Sequence, residues 1–247
     1  MNTLLLAYSS KSKGAKRLAD TLGIKRIKRA SGESAFNARD GEVVINWGNS
    51  SQNLPSHCEG VTNWVNAPVN VDHSVEKMDT FRILDKAGIA TPDWTTDYDM
   101  AKEWLDDRDL VVARMDTRSM QGKGMKIIRQ QANLPRCPLY TLFFPHEAEV
   151  RVHVAFGNAI ELHDKTAAGF NGTNTGRKYQ IDDVAQTMLS SIAEKTIEAL
   201  DLDFGAVDLL WDAANKSYVV LEVNTAPAMQ DGTLEKYETA FKANLDL

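Results

Sequence analysis

Cysteine is scarce in this chain, with only Cys58 and Cys137 among 247 residues. Two widely separated thiols cannot build a disulfide framework and show no metal-ligand spacing, so a reduced, cytoplasmic protein is expected. Long apolar runs are missing as well. No window approaches the roughly 20 apolar residues of a membrane span, so no membrane partner is expected. The first eight residues lack a basic region followed by a long apolar stretch, and read as a first strand rather than a signal peptide. There is no excess of positive charge: the net charge of −6 argues against general affinity for nucleic acid. Internal repeats, low-complexity tracts, a Walker A run and a G-x-G-x-x-G opening to a helix are all absent.

What is present suits a globular chain: 43% of residues are hydrophobic, enough for one or two cored domains. Residues 3–8 predict a buried strand. Ala15, Leu18, Ala19 and Leu22 have helical spacing, and Gly23 stands where a C-terminal glycine belongs. Residues 24–27 and 43–48 predict two more strands. This strand–helix–strand opening predicts a small parallel-sheet domain over residues 1–72, in which residues 49–72 read as a polar connection.

A second unit begins near His73. Ser74 is placed to cap a helix carrying Val75, Met78, Phe81, Ile83 and Leu84, which Gly88 stops. Residues 100–105 predict a short helix, and residues 110–113, 125–128 and 139–144 predict strands. Residues 149–156 and 159–165 predict a hairpin about Gly157 and Asn158. Val184, Met188, Ile192, Ile197 and Leu200 predict one face of a long helix. Residues 204–211 and 218–223 predict two final strands. The fold class expected from these elements is α/β, with a second unit from residue 73 onward.

The last two strands carry an unusual pair. Asp208 lies inside an apolar strand, Glu222 ends the next, and the turn at residues 212–216 makes them antiparallel neighbours. Two inward carboxylates repel each other and are costly to desolvate, so something positive must offset them. With Asn224 on the same face they form an oxygen-donor set suited to magnesium and nucleotide phosphates. A buried acid pair satisfied by Arg or Lys fits the residues equally well.

Three other features carry chemistry. Ser119, Gln121, Gly122 and Gly124 lie in a polar turn between two strands, whose glycines allow close backbone approach to a phosphate and equally suit an ordinary turn. Arg114, a cation in an apolar strand, points to a strand edge or to a bound anion. Eight Lys and Arg residues between positions 11 and 29 make either a solvated face or a landing surface for an acidic or phosphorylated partner.

Taken in order, these elements resemble the ATP-grasp superfamily over about residues 73–247. LDFGAVD at 202–208 and LEVNTAP at 221–227 are similar to its metal-binding signature, and EVRVHV at 149–154 resembles its hinge-following strand. The group most similar is the small ATP-grasp proteins common in bacteriophages; D-alanine–D-alanine ligases and ribosomal-protein glutamate ligases are better-known relatives. Residues 1–72 match only in style, as a pre-ATP-grasp domain, and the resemblance implies two α+β lobes in the remainder: a central lobe over residues 73–138 with the phosphate loop and a C-terminal lobe over residues 139–247 with the metal site. The resemblance implies ATP and Mg2+ as cofactors, with Mn2+ as an alternative ion, and Asp208, Glu222 and Asn224 as metal ligands. It implies phosphate contacts at Lys77, at Arg114 (where most members have lysine) and at the Ser119–Gly124 loop. Leu142, Phe143 and Phe144 would be the adenine hinge and Glu149 the ribose acid. Arg151 and Lys165 would act on the transferred phosphate, and Thr233 and Leu234 would meet the acceptor substrate.

The activity so implied is a carboxylate–amine ligase working through an acylphosphate. Its partners are a small carboxylate and a small amine, in a cytoplasm that is the host's if the chain is phage-encoded, and an oligomer is compatible. Two alternatives carry less weight: ligation to a nucleobase or nucleotide-derived amine, and a non-catalytic nucleotide- or partner-binding protein. Residues 167–176 would form a lid. His153 and His163, flanking the hairpin, read as structural rather than as bases.

Overall fold

A computed structural model describes residues 2–29, 41–106, 109–118, 124–165 and 181–247. Among these, twelve strands form three four-stranded sheets. The first is parallel, in the order β2-β1-β3-β4, from β1 (Thr3–Ala7), β2 (Lys25–Arg26), β3 (Val43–Trp47) and β4 (Asn63–Val65). Helix α1 (Lys13–Leu22) follows β1. Ser12 caps it by accepting from the Ala15 N–H, Gly23 ends it at φ +69°, and the four apolar residues of the expected stripe are buried.

Residues 49–72 are more than a connection, since they hold β4 and most of α2 (Pro68–Val75). Pro68 at the first helical position presets φ, while Asn70, Asp72 and His73 hide the helix from an apolar-stripe reading. Ser74 is not a cap. It lies within α2 and its hydroxyl donates to the Val71 carbonyl. The cap of α3 (Lys77–Lys86) is Glu76, which accepts from the Met78 N–H. The division expected at 72/73 therefore falls inside α2.

The second sheet is antiparallel, ordered β5-β8-β6-β7, from β5 (Trp94–Thr95), β6 (Val111–Arg114), β7 (Met125–Ile128) and β8 (Leu139–Leu142). With α4 (Tyr98–Asp106) it encloses its own small core of Ala101, Val111, Ala113, Ile128 and Tyr140. The two-residue strand β5 was not foreseen.

The third sheet, ordered β10-β9-β11-β12, is also antiparallel. It comprises β9 (Ala148–Ala155), β10 (Asn158–Asp164), β11 (Phe204–Asp212) and β12 (Ser217–Asn224). The expected hairpin and final strand pair are both present. Helix α5 (Asp183–Ala199) packs on one face: of the expected stripe Ile197 and Leu200 are buried and Met188 and Ile192 pack half-buried against the core, whereas Val184 is 80% exposed and Ala185, Leu189, Ala193 and Thr196 are buried in addition. Small alanines allow close packing against the sheet, so the contact is centred one position beyond the expected stripe over the first turns of the helix and coincides with it at the last.

Helix α6 (Asp231–Leu245) packs with the other face and with α1. Trp47, Phe204, Tyr237 and Phe241 thereby give the first and third sheets one common core, with the Trp47 and Phe204 rings stacked at 5.3 Å. Asn66 adds a polar clasp. Its backbone is left-handed at φ 63°, its N–H donates to Asp203 Oδ2 at 2.6 Å, and its side-chain oxygen accepts from the N–H groups of Asp203 and Phe204.

Candidate active site

Alternation along β9 puts Glu149, Arg151 and His153 on one face of the third sheet. The ladders pair Arg151 with both Asp208 and His163, and Asp208 with Glu222. Asp208 is 2% exposed. Arg151 Nε and Nη2 donate to its two oxygens at 2.7 Å each, and Lys165 Nζ donates at 3.0 Å. Burial pushes the Asp208 carboxyl up, but these two cations outweigh it and hold the group below the usual carboxylate range. Lys165 also bonds Glu149 at 2.6 Å, and Lys77 bonds Glu222 at 3.3 Å.

The cations therefore balance the carboxylates in this state, which is the second of the two arrangements open from sequence. The metal arrangement is also compatible. Asn224 Nδ2 lies 3.4 Å from Asp208 Oδ2 and 3.3 Å from Glu222 Oε1, so three donor groups converge. Rotated about its amide, Asn224 would present a carbonyl oxygen to the same point. Two carboxylates and an amide suit magnesium, which takes few protein ligands and completes its shell from phosphates and water. No cluster of three or more His, Cys, Asp and Glu exists among the described residues.

The cluster forms part of the wall of a cavity of about 820 Å³ to which all three sheets contribute. Its apolar part is lined by Val112, Met125, Leu142, Phe143, Leu210 and Leu221. The N–H groups of Leu142 and Phe143 are bound to the carbonyls of Asp93 and Leu110, and that of Phe144 makes no bond among the described residues. Arg114 is 5% exposed and its Nε has no hydrogen-bond partner. Burial lowers its pKa to about 10, against the opposing charge of Glu222. An anion at Arg114 would relieve both the unmade bond and the buried charge.

Of the residues singled out from sequence, Arg114, Leu142, Phe143, Phe144, Glu149, Arg151, Lys165, Asp208, Glu222 and Asn224 line this cavity. Lys77 lines a smaller neighbouring pocket that shares Glu222 and Asn224. Gly124, at φ +72°, closes a backbone bond to Met115 and lies off the wall. Ser119, Gln121, Gly122 and residues 167–176 lie outside the described residues. Thr233 and Leu234 lie in the first turn of α6 on its buried face, where Thr233 Oγ1 lies 3.2 Å from His163 Nε2 and Leu234 joins the core shared with Trp47.

His153 is 1% exposed and bonds the Tyr237 hydroxyl, which in turn donates to the Gly205 carbonyl. Desolvation, helped by the nearby Arg151 charge, lowers the His153 pKa to about 4, so it is a neutral structural group. Residues at the start of the chain were missed: Tyr8, Ser9, Ser12, Gly14 and Trp47 line the cavity. The turn from the first strand into the first helix was the signal that could have found them.

No protein-family model matches the sequence, and no curated protein matches it. Solved structures do match. A RimK-domain ATP-grasp protein from Sphaerobacter thermophilus is 17% identical with TM-score 0.67, over 96% of this chain and 98% of that one. D-alanyl-alanine synthetase A from Vibrio cholerae is 13% identical with TM-score 0.66, over 97% and 96%. The ATP-grasp ligase PsnB, in complex with a phosphomimetic variant of its minimal precursor, Mg and ADP, is 12% identical with TM-score 0.65, over 95% and 93%. At these identities the likeness is one of fold.

Proposed function

From the ATP-grasp fold as premise, we propose that the chain is an ATP-dependent carboxylate–amine ligase. The observation that carries this reading is the convergence of Asp208, Glu222 and Asn224 beside Arg151 and Lys165, on the wall of a cavity whose other part is apolar. The adenine would lie against Leu142 and Phe143, with the Phe144 N–H at its edge. Glu149 would hold the ribose hydroxyls, and Arg114, with its unpartnered Nε, the phosphate chain. Asp208, Glu222 and Asn224 would hold Mg2+, which would supply charge neutralisation to the phosphates.

The chemistry needs no protein nucleophile. A substrate carboxylate oxygen attacks the γ-phosphorus and ADP leaves, giving an acylphosphate. The amine then attacks the acyl carbon, and phosphate leaves with the bonding pair. Arg151 and Lys165 neutralise charge on the transferred group and position it, and the apolar walls keep water away. Arginine at position 114 keeps the charge most family members supply with lysine, but offers a planar fork to the phosphates.

Thermal unfolding with Mg-ATP, with ATP plus EDTA, and with GTP tests the reading. Magnesium-dependent stabilisation specific to ATP is expected, and it would direct a screen of carboxylates and amines for ADP release. Absence of a shift with every nucleotide would remove the proposal.

A further inference from the structure

The end of the cavity that would take the base holds a hydrogen bond with no task in that mechanism. Phe144 is followed by Pro145, and a residue before proline is confined to extended backbone. In extended backbone the N–H and C=O of one residue point to the same side, which is why facing residues of antiparallel strands can exchange both. Phe144 lines the cavity, and its N–H makes no bond among the described residues. Its carbonyl is already taken: His146 Nδ1 lies 2.8 Å away. A carbonyl only accepts, so Nδ1 carries the proton and donates. The His146 ring also lines the cavity and lies against Phe143, with ring centroids 5.8 Å apart.

The surrounding side chains leave base recognition largely to this backbone. Val112, Met125, Leu142, Phe143, Leu210 and Leu221 offer no strong hydrogen bond. The cavity's carboxylates, Glu149, Asp208 and Glu222, each bond a cation. Purines present two different edges to a hinge of this kind. Adenine has a bare N1, which accepts from a free N–H and makes no demand on the Phe144 carbonyl. A 6-oxopurine has O6 and N1–H side by side. When O6 accepts from the Phe144 N–H, N1–H needs the carbonyl next to it. That oxygen already holds the His146 bond and offers at best a shared one, and a buried N–H left without a full partner is costly.

We propose that His146 is a positioning residue for base selection: by donating to the Phe144 carbonyl it withdraws the acceptor that a 6-oxopurine requires, so the cavity selects 6-aminopurine nucleotides. The proposal rests on the nucleotide site of the ligase reading and adds to it a named group that rejects the wrong base.

The test uses the whole protein, titrated calorimetrically with Mg-ADP and with Mg-IDP, whose bases differ only in the 6-substituent and the proton on N1. The parent is expected to prefer ADP by at least about tenfold. His146→Phe keeps a ring against Phe143 but removes the donor. It should bind IDP about tenfold tighter than the parent does, with a far smaller change for ADP. His146→Asn returns a donor close to the place of Nδ1 and should restore the preference. Equal binding of the two nucleotides by the parent, or a fall in both affinities with their ratio unmoved in His146→Phe, as a purely structural role gives, would overturn the proposal while leaving the ligase reading standing. Failure of both nucleotides to bind the parent would sink both.

Discussion

Asp208 keeps its charge in an almost fully buried position because Arg151 grips both of its oxygens and Lys165 adds a third bond. Glu222 has the looser partner, Lys77 at 3.3 Å. Glu222→Ala is therefore expected to abolish ATP turnover while circular dichroism shows a retained fold; near wild-type turnover would remove Glu222 from the metal site. Asp208→Ala should cost stability as well as activity. It leaves Arg151 and Lys165 facing a cavity wall without their acid, and breaking such a buried pair costs about 3–5 kcal/mol, less whatever water supplies to these partly exposed cations. Chemical denaturation would measure it.

His153 gives a separate pH signature. Its folded pKa of about 4 lies below its ordinary 6.5, so protonation favours the unfolded chain. Its contribution is complete above pH 6.5 and is lost as the pH falls toward 4. The thermal midpoint should decline across that window, and His153→Gln should flatten the decline. Asp208, whose pKa is depressed, loses its contribution only below the ordinary aspartate value of about 3.9, outside that window. The pairing of Asp208 with Glu222 was legible because two apolar strands and a short turn fix the register. The partners Lys77 and Arg151 lie 145 and 57 positions away from their acids, and no local pattern encodes such meetings.

Among the elements, those with one dominant local signal were the legible ones. Helix α1 has a clean stripe and a terminal glycine, and the β9–β10 hairpin has left-handed Phe156 and Gly157 at its turn. Helix α2 was hidden by polar residues, and β4 and β5 were too short to show a period. Helix α5 was found with most of its inner face, but at its N-terminal end Ala185 and Leu189 are buried in place of Val184. Substitutions separate the two placements of that end. Val184→Glu should stay within about 0.5 kcal/mol of the parent, as exposed changes do. Leu189→Ala should cost about 2–5 kcal/mol, as a core truncation does. A large effect at Val184 in denaturant unfolding would contradict the packing described.

For the whole molecule, general architecture was readable from strand order and the carboxylate motif, but the cavity was not. It exists only where three sheets meet, and the β1–α1 turn that completes it announces itself only as a strand-to-helix turn, without a residue motif. Ligand binding should act on the whole fold: Mg-ADP at 100 times its dissociation constant is expected to stabilise by about 2.7 kcal/mol. The clasp at Asn66 and the core around Trp47 and Phe204 make the first and third sheets one body, whereas the second sheet has a core of its own. The cavity is thus built like a vice, one jaw of two sheets with a shared core and one jaw with a core of its own. Under the ligase proposal, the carboxylate cluster and the β1–α1 wall would keep register with each other through every cycle, and the side that carries Arg114 would be the one to swing for spent nucleotide to leave.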